Sequence, residues 1–422
     1  MKTWITYLVA TFMGLATTLL LGQFEAYTTF IQTLSSILIQ FGGFVLFPIV
    51  LISFASGVAS LRKDNMGLRL AASSIVWTVL STLILSFVGI LLFSIFPVVF
   101  PASSSAGAGT SAVIEYIETS FSLIKDVFRP INPFYSISSA QNFLLPIVVI
   151  AFLFGYFLKP SSDIIRPAYV TVNSFSEVMY KICRSYTILG FALVYIVSAS
   201  FFATLQDEAT IFVAPTFVLN ILIIAVLAIF VVIPLLFGII TSFKENPYKI
   251  LYRTLGASIA GLFSANIFFA TPITLSLTRM NLGVQKRTSS TAIPLATIFA
   301  RGGSAMIASF TIASLIYATT NTIPEFSLLV FIALVSTFIS FISSMFLGFE
   351  VFFIVYFTLK LLAIDLHTAE MSIVGLIPFL CGIGTMIDVI ISAFAAAISN
   401  IWILHKEKGL SQLVHVPYKN MI

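Results

Sequence analysis

The chain has 422 residues, of which 59% are hydrophobic and only 9% charged, with a formal net charge of +5. Soluble domains carry about 25% charged and about 45–50% apolar residues, which excludes a soluble enzyme and a disordered chain. The apolar runs are long and continuous rather than alternating, which argues for helices and against an outer-membrane barrel.

A spanning helix needs about 20 mostly apolar residues. In chain order the candidates are 4–22, 36–61, 71–100, 142–158, 178–203, 211–243, 252–276, 288–317, 325–360 and 371–404. The first follows Met1 and Lys2 and has the outline of a leader. It lacks a convincing small-residue cleavage site and further spans follow, so it reads as a span. Segment 101–112, PASSSAGAGTSA, is a polar loop without the strand–helix context of a phosphate loop. The regions 252–276 and 325–360 read as re-entrant hairpins, since non-helical backbone is tolerated at membrane depth where it is buried in protein or lines a cavity. Cys183 and Cys381 are far apart, and His367, His405 and His415 form no ligand cluster. No disulfide framework, metal site, cofactor motif or nucleophile–base set is visible, so neither an enzyme nor a cofactor is expected.

Net positive charge is one signal of a nucleic-acid partner, but in a membrane chain Lys and Arg collect in cytoplasmic loops. With the N-terminus in the cytoplasm and the two long regions as hairpins, Arg62, Lys63, Arg69, Lys159, Arg166, Lys181, Arg184, Lys244, Lys249, Arg253, Arg279, Lys286, Arg287, Lys406 and Lys408 fall on the cytoplasmic side. Lys125 and Arg129 fall outside. One further crossing would scatter the later charges, so the asymmetry supports both the orientation and the hairpins. A multi-pass protein of the cell membrane follows, with both termini cytoplasmic.

Several stretches then carry a resemblance, in order and at matching spacing: FPIVLISFASGVASL (47–61), INPFYSISSAQNFLLPIVVIAFLFGYFL (131–158), SFSEVMYKI (174–182), FVVIPLLFGIITSFKENPYKILYR (230–253) and PITLSLTRMNLGVQKRTSSTAIPLATI (272–298). From about residue 38 to residue 409 the chain resembles the dicarboxylate/amino acid:cation symporters, the glutamate-transporter homologues. The resemblance implies an all-α membrane fold of eight transmembrane helices and two re-entrant hairpins built on inverted repeats. It implies an elevator-type homotrimer in the lipid bilayer, with a small-molecule substrate held between the hairpin tips and a broken seventh span. Such broken helices are where transporters place solutes and ions. The implied division is a scaffold over about 1–61 and 131–203 and a transport domain over about 62–100 and 211–409. An extracellular loop over 101–130 and a tail over 410–422 complete it.

The chain departs from the family where cations bind. The serine-rich tip of the first hairpin becomes Ser264-Ala265-Asn266-Ile267-Phe268-Phe269, with Asn266 as the one amide. The family's NMDGT break becomes Ala300-Arg301-Gly302-Gly303-Ser304, which puts Gly302, or Arg301 if the frame shifts by one, at the cation-binding Asp; either way that carboxylate is absent and a guanidinium arrives. In the eighth span, DxxxDxxRTxxNVxGD reads Gly384, Asp388, Ile391, Ser392, Ala395 and Ser399, keeping one Asp and losing the Arg that would grip an acidic side chain. The second hairpin tip aligns with Met345-Phe346-Leu347-Gly348. Thr78, Ser81 and Thr82 match the family's cation-lining hydroxyls, although such groups equally bond their own helix's carbonyls. The glycine pair at 302–303 suits an unwound segment, because Gly tolerates unusual backbone angles.

An arginine at the bilayer centre costs about 2.5–3.5 kcal/mol on insertion scales and requires partners. Asp388 is the nearest acid by family geometry. Arg301 is therefore expected to stand in for the cation, paired with Asp388, with Thr78, Ser81 or Thr82, or with a solute carboxylate. The alternative is a fixed salt bridge without a ligand role. The expected substrate-binding set is Asn266, Arg301, Gly302, Asp388, Ile391, Ser392 and Ala395, with Ser399 as further polar lining. Three functions stay open: a sodium-independent uniporter or exchanger of an amino acid or small carboxylate, a cation- or proton-coupled symporter using substituted ligands, and a non-transporting or anion-channel member of the fold.

Overall fold

The computed structural model describes residues 2–63, 66–101, 119, 144–208, 215–363, 374–408, 413 and 415–422. Most of the loop expected over 101–130, with Lys125 and Arg129, lies outside these residues, as do the start of the 131–158 run, His367 and the first residues of the tail.

The described residues are helical, without a strand among them. In order they form α1 (Thr3–Leu21), α2 (Glu25–Ile49), α3 (Ala55–Lys63), α4 (Gly67–Ile95), α5 (Leu145–Phe157) and α6 (Arg166–Glu208). Then come α7 (Pro215–Leu227), α8 (Ile233–Ile240), α9 (Pro247–Ser264), α10 (Ile267–Met280), α11 (Lys286–Phe299), α12 (Gly302–Thr320), α13 (Phe326–Ile342), α14 (Glu350–Leu361) and α15 (Ile377–Lys408). A π turn, Val50–Phe54, joins α2 to α3, and another, Ala228–Val232, joins α7 to α8. The second has a cause in Pro234, whose missing N–H and ring displace the carbonyl four residues back.

Eight described stretches are long and apolar enough to cross a membrane: 3–21, 25–62, 69–95, 166–206, 215–240, 286–320, 326–345 and 377–405. The number matches the sequence reading, but one member differs. The first arm of the expected second hairpin, 326–345, is itself long enough to span, whereas the described part of the expected 142–158 span is only the 13 residues of α5. Helix α6 has 43 residues, about 65 Å at 1.5 Å per residue, and so begins well before the 178–203 span expected from hydropathy. Its extra turns, 166–177, carry Arg166 and Glu177, which hydropathy reads as loop.

Close helix crossings are built on small residues, as is usual where apolar burial supplies no drive between helices in lipid. Gly190 faces the Tyr7 ring, and the Tyr7 hydroxyl donates to Thr187 O at 2.8 Å, joining α1 to α6. Gly89 lies against Met306 O, and Ser309 Oγ donates to Ser86 O at 3.0 Å, joining α4 to α12. Helix α10 leans on α2 and α6: Gly42 abuts the Phe269 backbone, Phe268 meets Phe47 edge-on and Phe269 meets Tyr186. Phe268 and Phe269, with Phe394 against Trp77 and Phe237, are packing residues.

Helices α9 and α10 form a helix–turn–helix pair that packs along itself. Ala265 ends α9 in the left-handed region at φ 46°. The base of the pair is closed on itself: Arg253 donates to Asn281 O, and Asn281 Nδ2 donates to Arg253 O at 3.0 Å. The C-terminal tail binds the same place. Ile422 N donates to Asn281 Oδ1 at 3.1 Å, Arg253 donates to Val416 O at 2.9 Å, and Lys2 reaches the carbonyls of Tyr418 and Met421. Both ends of the pair therefore sit beside the chain's N-terminus.

The tail is further held by Glu245, which takes the Leu413 N–H at 3.0 Å and the His415 ring at 2.6 Å. Burial pushes the Glu245 carboxyl up, but these hydrogen bonds and the charges of His415 and Lys249 outweigh it and hold it below the ordinary carboxylate range. A depressed folded value means that Glu245 contributes its full stabilisation above the ordinary Glu pKa, about 4.3, and loses it as pH falls through the depressed value. A spin label at Asn420→Cys should be immobile at pH 7 and gain mobility below about pH 4.3. Unchanged spectra across that range would contradict the Glu245 clasp.

Candidate solute site at the helix break

The break falls at Ala300–Arg301, between α11 and α12. The glycines there answer to space rather than to backbone angle. Neither Gly302 nor Gly303 has a positive φ, which differs from the unwound segment expected. A Cβ on Gly303 would lie 2.3 Å from Gly384 O, and one on Gly302 would lie 2.8 Å from the Cδ1 atoms of Ile391 and Leu85. The pair lets α12 start in contact with α15.

A helix break exposes two sets of unsatisfied backbone groups, carbonyls at the end of α11 and N–H groups at the start of α12. The two charged residues divide them. Asp388 of α15 accepts from Gly303 N at 2.7 Å and from Ser304 Oγ at 2.6 Å, placing a carboxylate on the positive end of α12. Arg301 donates from Nη2 to Thr297 O at 3.2 Å, placing a guanidinium on the negative end of α11.

The pairing of Arg301 with Asp388 expected from the sequence is therefore replaced. Both Asp388 oxygens are taken by the α12 N-terminus, and the acid at Arg301 is Glu350, with Nη1 3.5 Å from Oε1. Glu350 opens α14, and its Oε2 accepts the Gly348 N–H at 2.9 Å. Arg301 is 1% exposed and Glu350 is fully buried. Arg301 Nε is buried with no acceptor among the described residues. Glu350 is absent from the expected set, yet it is the only charged residue between Glu325 and Lys360. A lone acid in such a run is a functional signal in its own right.

The other expected residues divide by their contacts. Asn266 caps α10, its Oδ1 accepting from Phe268 N at 2.9 Å and Phe269 N at 3.3 Å. The two tips are adjacent, since a Cβ on Gly348 would lie 3.9 Å from Ala265 O. Gly348 has φ 81°, which fits the turn expected at 345–348. Ile391 and Ala395 are fully buried, and Ser392 Oγ donates to Asp388 O at 2.9 Å. Thr78, Ser81 and Thr82 donate to carbonyls of their own helix, at Ile75, Thr78 and Thr78. Ser399 bonds Ser73 at 2.9 Å, beside a cavity that also meets Arg69, Trp402 and His405.

The arrangement offers a buried guanidinium with a spare donor, two carboxylates at helix N-termini, and two hairpin tips beside a helix break. That is polar equipment for a small charged or zwitterionic solute. The positions that the resemblance implies for cation-binding carboxylates are Gly302 and Ser399, and Asp388 is occupied by backbone and hydroxyl donors.

A comparison with curated proteins finds no match. The model of the sodium:dicarboxylate symporter family matches residues 4–402, nearly the whole chain, and the chain belongs to that family.

Proposed function

We propose that the protein is a secondary transporter of a small organic solute, an amino acid or small carboxylate, that works without sodium. Arg301 supplies as a resident charge what a bound cation supplies elsewhere. The carrying observation is the buried guanidinium at the break, whose Nε has no acceptor among the described residues. A solute carboxylate completes its donor set. Acidic amino acids are disfavoured, because Ile391 stands where the family's side-chain-gripping Arg would be.

In this reading α9–α10 and α13–α14 are re-entrant hairpins, which the shared base of the first pair supports. They move with α4, α7–α8, α11–α12 and α15 against a trimeric scaffold of α1–α3, α5 and α6, giving an elevator. The basic residues place the termini in the cytoplasm. A fixed cation is not released on either side, so a sodium gradient has nothing to couple to.

Proteoliposomes loaded with an unlabelled solute test this by counterflow, using neutral amino acids, small mono- and dicarboxylates and L-aspartate as probes. The expected result is saturable uptake of a neutral amino acid or small carboxylate, accelerated by the same solute inside. Conductance that does not saturate, without counterflow, would assign the protein to a channel instead.

One observation favours a proton-coupled variant: the helix break holds two buried carboxylates, Asp388 and Glu350, and one buried guanidinium. The surplus negative charge is a place for a proton or for a solute's ammonium. Uptake driven by an imposed pH gradient would select the proton.

A further inference from the structure

The α13–α14 hairpin closes over the helix break with groups that all belong to the chain. Glu350 Oε2 holds the hairpin's own tip through the Gly348 N–H at 2.9 Å, and Oε1 reaches Arg301 at 3.5 Å. Phe346, 1% exposed, stacks on Phe353 with ring centroids 4.1 Å apart and fixes the tip to α14. A buried guanidinium without a counter-charge is strongly unfavourable. If its only carboxylate partner were a solute, the tip could not shut over Arg301 in an unloaded carrier. Here the carboxylate is tethered one residue inside α14. It contacts Arg301 through one oxygen at the long limit of a hydrogen bond and leaves Nε unused, so it is a weaker partner than the two-oxygen fit a free carboxylate makes with a guanidinium.

We propose that Glu350 is the closing residue of this hairpin: its carboxylate occupies Arg301 in place of a solute carboxylate, so the hairpin shuts on an unloaded carrier and the protein catalyses net flux rather than obligatory exchange. This rests on the transporter reading above. A solute carboxylate displaces Glu350 from Arg301 by better geometry, and Glu350 returns when the solute leaves.

The test has two arms. In lipid nanodiscs with no solute added, amide hydrogen exchange is followed at residues 343–349 and, as an internal reference, at 305–315 of α12. E350Q keeps an acceptor for the Gly348 N–H but leaves Arg301 without a counter-charge. It should raise exchange at the tip at least about 10-fold and leave α12 unchanged. R301M/E350Q, which removes both charges of the Arg301–Glu350 pair, should return the tip close to wild type. Equal tip protection in wild type and E350Q, or a rise throughout the chain that the double variant does not reverse, overturns the proposal.

The second arm uses proteoliposomes loaded with radiolabelled L-alanine or acetate. Wild-type efflux into solute-free buffer should be comparable with efflux into buffer holding the same unlabelled solute. In E350Q the ratio of exchange to net efflux should rise at least about 10-fold. Exchange without net efflux in wild type, or an equal loss of both in E350Q, overturns it. Movement of neither probe in either mode counts against the transporter reading, and hydrogen exchange at the tip still decides the role of Glu350.

Discussion

Arg301→Met should abolish solute binding and also lower the melting midpoint, whereas R301M/E350Q should recover the midpoint without recovering binding. The single change leaves the Glu350 carboxylate buried and unpaired. Breaking a buried pair from one side costs about 3–5 kcal/mol, while removing both charges in apolar or neutral side chains is often neutral. Thr297 O loses its donor in both variants, so that term cancels in the comparison. Melting with and without a bound solute separates the two contributions. A double variant that still transports would reduce Arg301 to a structural salt bridge.

Asp388→Ala should be the most damaging change on α15. It strands the Gly303 N–H and the Ser304 hydroxyl in a buried site, and each unsatisfied donor costs about 1–3 kcal/mol. It also removes the negative charge from the start of α12, worth up to about 2 kcal/mol in a partly buried geometry. Asp388→Asn keeps one acceptor and should lie between alanine and wild type. The order Ala, Asn, wild type in thermal midpoint checks the capping role. Equal midpoints for Asn and wild type with lost binding would instead point to direct contact of the Asp388 charge with solute.

The spans were legible because lipid-facing helices must be apolar throughout, and the helix break was legible because the resemblance aligns the family's broken seventh span with residues 300–304. Asp388 stood out as an acid in an otherwise apolar helix. Its partner was misread because alignment places residues along a helix but does not say which group satisfies a helix end. The Gly303 N–H and the Ser304 hydroxyl of α12 lie nearer to Asp388 than Arg301 does, and the carbonyl end of α11 draws the guanidinium the other way. Glu350 was passed over because the second hairpin was placed by its glycine, and the acid two residues later fell outside the matched phrase. The role of Gly302 and Gly303 was also hidden. Backbone freedom and lack of a Cβ give the same letter, and only the contact with Gly384 and Ile391 separates them. The length of α6 escaped because charged turns read as loop to any hydropathy window, although Glu177 there is engaged by Lys286 at 3.2 Å and Arg279 at 3.5 Å.

The resident-cation claim is tested most directly by thermal melting of the purified protein against amino acids and small carboxylates, each in sodium and with choline in its place. A ligand that binds only the folded state raises the midpoint by mass action. The account predicts a rise with one solute that is the same in choline as in sodium and is absent in R301M/E350Q. A rise that requires sodium would contradict it and return the protein to cation-coupled transport.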